Sequence, residues 1–160
     1  MTKFFLVIFL SSLCQFNLQA QKKKINFADI SYSIAGNVGI GAFSNGGVTF
    51  GADIEGSTPY AKDIKLTGSA GFQSFSYRST AVKYWRHYIP LLVGVKGNLD
   101  PELYLHGQFG YAVPINNGGS FAYALGVGYV FKKNLDVGIK LLNVKRFNHS
   151  AVSVRVARNL

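Results

Sequence analysis

The chain has one cysteine, Cys14, one tryptophan and four prolines in 160 residues. Cys14 falls within the first twenty residues. A chain that begins after them has no disulfide, no thiolate metal site and no cysteine nucleophile. Acidic residues are also scarce, seven against seventeen lysines and arginines. No apolar run reaches the ~18 residues that a membrane-spanning helix needs, and no long helical period appears past residue 20. Glycines are frequent, yet they alternate along extended stretches and open no helix, which excludes a phosphate-cradling loop. The basic excess is scattered: no run exceeds Lys22-Lys23-Lys24, so a nucleic-acid groove is not indicated. Anionic lipid head groups would suit that excess equally well.

Residues 1–20 carry one charge, Lys3, then an apolar run from Phe4 to Leu10 and the ending Leu18-Gln19-Ala20. This is the pattern of a secretory signal peptide with cleavage after Ala20. Leu13 stands where lipidation of Cys14 would want a small residue, so a lipoprotein is disfavoured. The expected organisation is therefore a signal peptide over 1–20 and one domain over 21–160. Loss of Lys3 leaves sixteen basic residues against seven acidic ones, a net charge of +9.

From there the sequence alternates. Phe121, Tyr123, Leu125, Val127, Tyr129 and Phe131 share one face of an extended segment, and Ala122, Ala124, Gly126, Gly128 and Val130 share the other. The same division separates Ile30, Tyr32, Ile34, Val38 and Ile40 from Ser31, Ser33, Ala35, Asn37, Gly39 and Gly41. It separates Leu103, Leu105, Phe109, Tyr111 and Val113 from Tyr104, His106, Gln108, Gly110 and Ala112. Val48, Phe50 and Ile54 oppose Thr49, Gly51, Asp53 and Glu55. Leu135, Val137, Ile139 and Leu141 oppose Asp136, Gly138 and Lys140, and Val152, Val154 and Val156 oppose Ser153, Arg155 and Ala157. Two segments are less regular. The run from Ile64 to Phe72 changes phase at Phe75 and Tyr77, and Ile89 to Val95 includes Leu92 and Pro90.

These segments predict eight strands joined by turn sequences such as Ser44-Asn45-Gly46-Gly47, Asn116-Asn117-Gly118-Gly119 and Lys132-Lys133-Asn134. Sequential neighbours with short connections favour antiparallel up-and-down order. Pro90 cannot donate to a ladder, so a bulge or a rim is expected there.

The faces decide the environment. The polar face is also the small face: Asp53, Glu55, Lys96, Asp136, Lys140 and Arg155 alternate with Gly, Ala and Ser. That makes a poor oily core and a workable narrow lumen. The bulky face must then point outward, and only lipid satisfies such a coat around a whole barrel. Lipid offers backbone groups no hydrogen bonds, which forces the sheet to close. Phe43, Phe50, Tyr77, Tyr84, Trp85, Tyr111, Phe121, Tyr123, Tyr129 and Phe131 fall at strand ends, where interfacial aromatic girdles lie. The predicted fold class is thus all-β, an eight-stranded antiparallel up-and-down transmembrane β-barrel following a cleaved signal peptide.

The chain resembles the small eight-stranded outer-membrane β-barrel proteins of Gram-negative bacteria, the outer membrane protein beta-barrel domain group. The resemblance rests on the signal peptide, on Tyr88-Ile89-Pro90-Leu91-Leu92-Val93-Gly94-Val95-Lys96, on Gly126-Val127-Gly128-Tyr129-Val130-Phe131-Lys132-Lys133, and on a strand at the C-terminus. It implies a cell outer-membrane location, assembly by the outer-membrane machinery, contact with membrane lipid and lipopolysaccharide, and a monomeric barrel. It also implies a periplasmic N-terminus, with Ser44–Gly47, Ser76–Lys83, Pro114–Ser120 and Val144–Ser150 outside. Members commonly end on an aromatic residue, whereas this chain ends Arg158-Asn159-Leu160.

The expected role is non-enzymatic: structural, envelope-maintaining or narrow-pore. The six lumenal charges are expected to pair with one another. Some small barrels modify lipid A with a Ser-His pair. His149-Ser150 does not fit, because strand neighbours point to opposite faces. His87 and His106 lack a nearby second ligand, so no metal and no cofactor is expected. The alternative is a secreted, soluble, lipocalin-like barrel with the bulky face inside around an apolar ligand.

Overall fold

In the computed structural model the described residues are 29–41, 47–78, 83–115, 118–131, 134–145 and 149–160. The signal peptide over 1–20, Phe43, and the side chains of Tyr77, Tyr84 and His149 lie outside the described set. Eight strands follow in chain order: β1 (Ser31–Gly41), β2 (Val48–Ala61), β3 (Ile64–Arg78), β4 (Lys83–Asn98), β5 (Leu103–Pro114), β6 (Ser120–Phe131), β7 (Leu135–Val144) and β8 (His149–Asn159). Each pairs antiparallel with its sequence neighbours, and β1 pairs with β8 from Ser33↔Asn159 to Gly41↔Ala151, which closes the barrel. Closure leaves no edge whose N–H and C=O groups would face lipid.

Alternation sorts the side chains as the period of two requires. Val38, Ile54, Leu125, Ile139 and Val154 project outward, each more than half exposed. Asp53, Glu55, Asp136 and Arg155 project inward and are at most 5% exposed. This orientation excludes the lipocalin-like alternative, which needs the bulky set around the axis.

Two local expectations change. Pro90 lies in neither a bulge nor a rim: it sits within β4, opposite Ala112 of β5, with its ring buried. On the β3 side the ladder skips from Ala70↔Leu91 to Gln73↔Tyr88 without slipping register, so a short gap in pairing absorbs the missing donor. The register shift is instead at Pro59/Ala61, beside the β2–β3 turn. Nor does β3 change phase. Phe75 continues the inward set of Thr67 and Gln73, so a large ring points into the barrel.

That ring belongs to a cluster absent from the sequence-based expectation of a purely compact, hydrophilic lumen. Phe75, Tyr88, Leu92, Leu142 and Val144 pack with Ala112, Ala122, Ala124 and Ala151 inside the barrel. They fill the half remote from the chain termini. Phe75 and Tyr88 meet edge to face, with ring centroids 5.6 Å apart. The four alanines, with no more than a methyl group each, leave room for the two rings.

Close approach between strands explains one glycine with particular clarity. A Cβ on Gly94 would lie 2.0 Å from the Gly107 carbonyl oxygen, so no side chain fits on that inner wall.

Candidate functional site

The half of the lumen nearer the termini is charged. Arg155, on β8, reaches three carboxylates on two other strands: Asp136 at 3.2 Å, Glu55 at 3.4 Å and Asp53 at 3.6 Å. Lys96 of β4 lies 2.8 Å from Glu55 and 3.9 Å from Asp136. Lys140 of β7 donates to Asp53 at 3.2 Å. All six charges predicted for the lumen thus meet in one network, spread over β2, β4, β7 and β8. Three acids match three bases, which is the condition under which charges tolerate removal from water.

Neutral groups complete the network. Tyr104 donates its hydroxyl to Asp136 at 2.6 Å, and the Lys96 ammonium sits 4.5 Å from the Tyr104 ring centroid. Asn37 donates to the Asp53 oxygen that also receives Lys140. His106 exchanges a hydrogen bond with Thr67 at 2.9 Å, and its other ring nitrogen lies 3.8 Å from Glu55. Sequence reasoning placed Tyr104 and His106 on the inward face but did not join them to the charges. Tyr104 fits there because Gly128, opposite it on β6, has no side chain: a Cβ at Gly128 would stand 2.3 Å from the Tyr104 hydroxyl oxygen.

The space beside Tyr104, His106, Lys140 and Arg155 amounts to about 10 Å³, room for about one water at most.

The aromatic residues divide between the two rims. Phe50, Trp85, Tyr111, Phe121 and Tyr123 face outward near the end remote from the termini. Tyr129 and Phe131 face outward at the terminal end, 4.7 Å apart. Phe50 and Trp85 touch at 5.5 Å. The structure adds Phe72 to the first ring, and Tyr32 and Tyr60 to the second, each half-exposed on the outer wall.

The residues weighed for catalysis do not converge. Ser150 shares the outward phase of Val152 and Val154, is buried there, and takes a hydrogen bond from Asn143. A second Ser-His contact, unseen from the sequence because thirteen residues separate the partners, joins Ser74 Oγ to His87 Nδ1 at 3.0 Å on the outer wall. The Ser74 side chain is fully buried, and His87 stacks on Phe72 at 5.5 Å, so the hydroxyl offers a substrate no approach. The two groups instead satisfy each other beneath the aromatic ring. Among the described residues, no cluster of three His, Cys, Asp or Glu could hold a metal ion.

This geometry is found in solved barrels of outer membranes. The chain superposes on Ail, the attachment invasion locus protein of Yersinia pestis, in its complex with the heparin analogue sucrose octasulfate. The TM-score is 0.59 at 12% identity, over 81% of this chain and 95% of that one. Ail in a phospholipid bilayer nanodisc matches with a TM-score of 0.57 at 11% identity, over 81% and 99%. A de novo designed transmembrane β-barrel matches with a TM-score of 0.57 at 13% identity, over 81% and 95%. The chain has the eight-stranded transmembrane barrel fold. No protein-family profile and no curated protein matches it in sequence.

Proposed function

We propose that this chain is an exported, non-enzymatic outer-membrane barrel with a structural, envelope-maintaining role, and that its lumen is closed to ions. The observation that carries the second half is the two-part filling of the lumen. A charged layer crosslinks β2, β4, β7 and β8 at one level, and Phe75, Tyr88, Leu92, Leu142 and Val144 occupy the next. Either layer alone obstructs a narrow eight-stranded barrel. Of the roles expected from the sequence, the narrow pore is therefore the less favoured. The test is single-channel recording in planar bilayers. Purified protein is expected to give no discrete conductance steps, and reproducible steps of one size would overturn the proposal.

The charge distribution supports lipopolysaccharide as the lipid partner. The strand order puts Arg78, Lys83, Arg86 and Lys145 at the end remote from the termini, and none of the seven acids falls there. Asp29, Asp63, Asp100 and Glu102 all lie at the terminal end. With the termini in the periplasm, the purely basic rim meets the outer leaflet, whose phosphate groups it complements.

A further inference from the structure

The outer wall is not evenly bulky. On β2 and β3 its positions include Gly56, Gly68 and Ala70, and the register sets Gly56 against Gly68 and Ile54 against Ala70. Together they floor an outward-facing groove of about 730 Å³, with Ile30 and Tyr32 along one side and Leu91 and Val93 of β4 along the other. A Cβ on Gly68 would meet nothing within 4 Å, so the floor is open there. One on Gly56 would touch Ile30 at 3.5 Å and Tyr32 at 3.7 Å, which marks the near side. The two ends differ. Ile30, Tyr32 and Thr58 stand at the terminal rim, level with the girdle to which Tyr32 and Tyr60 belong, whereas Ile54, Ala70 and Leu91 lie at the middle of their strands. From Thr58 to Ile54 the groove follows β2 for about 13 Å, and it continues to Ala70 and Leu91, so it crosses about half of the ~25 Å apolar band. At the rim end the Thr58 hydroxyl oxygen is buried and has no hydrogen-bond partner among the described residues.

We infer that this groove is a binding site for one acyl chain of a diacyl phospholipid from the leaflet on the terminal side, the chain lying along Gly56, Gly68 and Ala70 and its ester carbonyl accepting a hydrogen bond from Thr58. The inference rests on the transmembrane reading of the wall and is independent of whether the lumen conducts. Hydrocarbon surroundings supply no water to fill a groove, and a gap deprives its lining of dispersion contacts. A chain seated in the groove meets a floor and two sides, where elsewhere on the barrel it meets a convex wall. The run from rim to mid-wall matches the reach of a chain within one leaflet. An ester at the rim end offers the acceptor that Thr58 lacks, within reach after rotation about χ1. A second copy of the chain suits the groove less well, because a two-fold pair sets the same patch against itself and leaves groove facing groove.

The experiment is native mass spectrometry of the refolded barrel, released from non-ionic detergent and titrated with a diester phosphatidylcholine. One lipid adduct is expected to saturate before further ones add. Gly68→Phe, whose ring fills the groove, should weaken that first adduct about tenfold or more, while Gly36→Phe should leave it within about twofold. Gly36 is the matched control: it lies on the outer wall, its Cβ also meets nothing within 4 Å, and it is not part of the groove lining. A heat-modifiable band on denaturing gels shows that both variants fold. Thr58→Val should weaken the adduct about three- to tenfold and Thr58→Ser should restore it. A diether lipid, which has no ester carbonyl, should bind the unaltered protein about as weakly as the diester binds Thr58→Val. Equal adducts in the two glycine variants, lipids that add without a preferred first one, or a protein dimer in place of the adduct would overturn the inference. Binding indifferent to Thr58→Val would overturn the placement of the ester. Failure of the transmembrane reading shows separately, as a barrel that stays in solution without detergent.

Discussion

Arg155 is the residue on which the charged layer depends most, so Arg155→Met is the sharpest perturbation of the interior. Methionine keeps much of the length and removes the charge. Asp136, Glu55 and Asp53 each lose a cation that stood within 3.6 Å, and only Lys96 and Lys140 remain for three acids. One negative charge is left buried without a partner. Removing one member of a buried ion pair costs about 3–5 kcal/mol, and the three-way contact places this case toward the upper part of that range. Lys96→Met should cost less, because Lys96, Glu55 and Asp136 line a polar cavity of about 310 Å³ at the terminal end of the barrel, where water reaches them. The assay is equilibrium unfolding in lipid vesicles, followed through Trp85 fluorescence. The double variant Arg155→Met/Glu55→Gln restores the charge balance and should recover stability relative to the single variant, with a coupling of about 0.5–3 kcal/mol. A loss of under about 1 kcal/mol for Arg155→Met, the scale of an exposed pair, would refute the network as a buried unit. So would a double variant no more stable than the single one.

The remaining predictions concern neighbouring parts of the wall and lumen. Tyr104→Phe leaves Asp136 without its 2.6 Å donor and should cost about 1.5–3 kcal/mol, measured by the same unfolding curves. Gly94→Val has no room beside the Gly107 carbonyl and should abolish the heat-modifiable, folded band on denaturing gels, whereas Gly68→Ala, whose Cβ meets nothing within 4 Å, should keep it. Phe75→Ala empties part of the apolar cluster and should cost about 3–5 kcal/mol. It should leave planar bilayers silent, because the charged layer still crosses the lumen. Ile139→Arg near the middle of the outer wall should destabilise the barrel in vesicles by about 2–4 kcal/mol, and Val113→Arg near a rim by much less.

The strands were legible because alternation is a local property: counting by twos from Phe121 to Phe131 gives both faces without reference to any neighbour. The same count puts Asp53, Lys140 and Arg155 on one side of the wall. It cannot say which acid meets which base. Those contacts depend on register across four strands, as when Arg155 and Glu55, a hundred residues apart, come within 3.4 Å. Leu92 and Phe75 looked like lapses in the pattern because a narrow lumen was expected to hold only small polar groups. The alanines at 112, 122, 124 and 151 were the signal that a large group had space opposite, but only the closed sheet brings those positions to face Phe75 and Tyr88. Pro90 was judged by its missing donor alone, and a gap of two pairs proved enough to accommodate it. The Ser74–His87 contact likewise comes from pairing of β3 with β4, which no spacing rule reveals.

The most direct test of which way the bulky side chains face is a spin-label scan along β7, one cysteine at a time from position 136 to 141, in lipid vesicles. Labels at 137, 139 and 141 are expected to collide readily with oxygen dissolved in the bilayer and those at 136, 138 and 140 poorly, a period of two through the strand. A flat profile, or one with its maxima at 136, 138 and 140, would contradict the account.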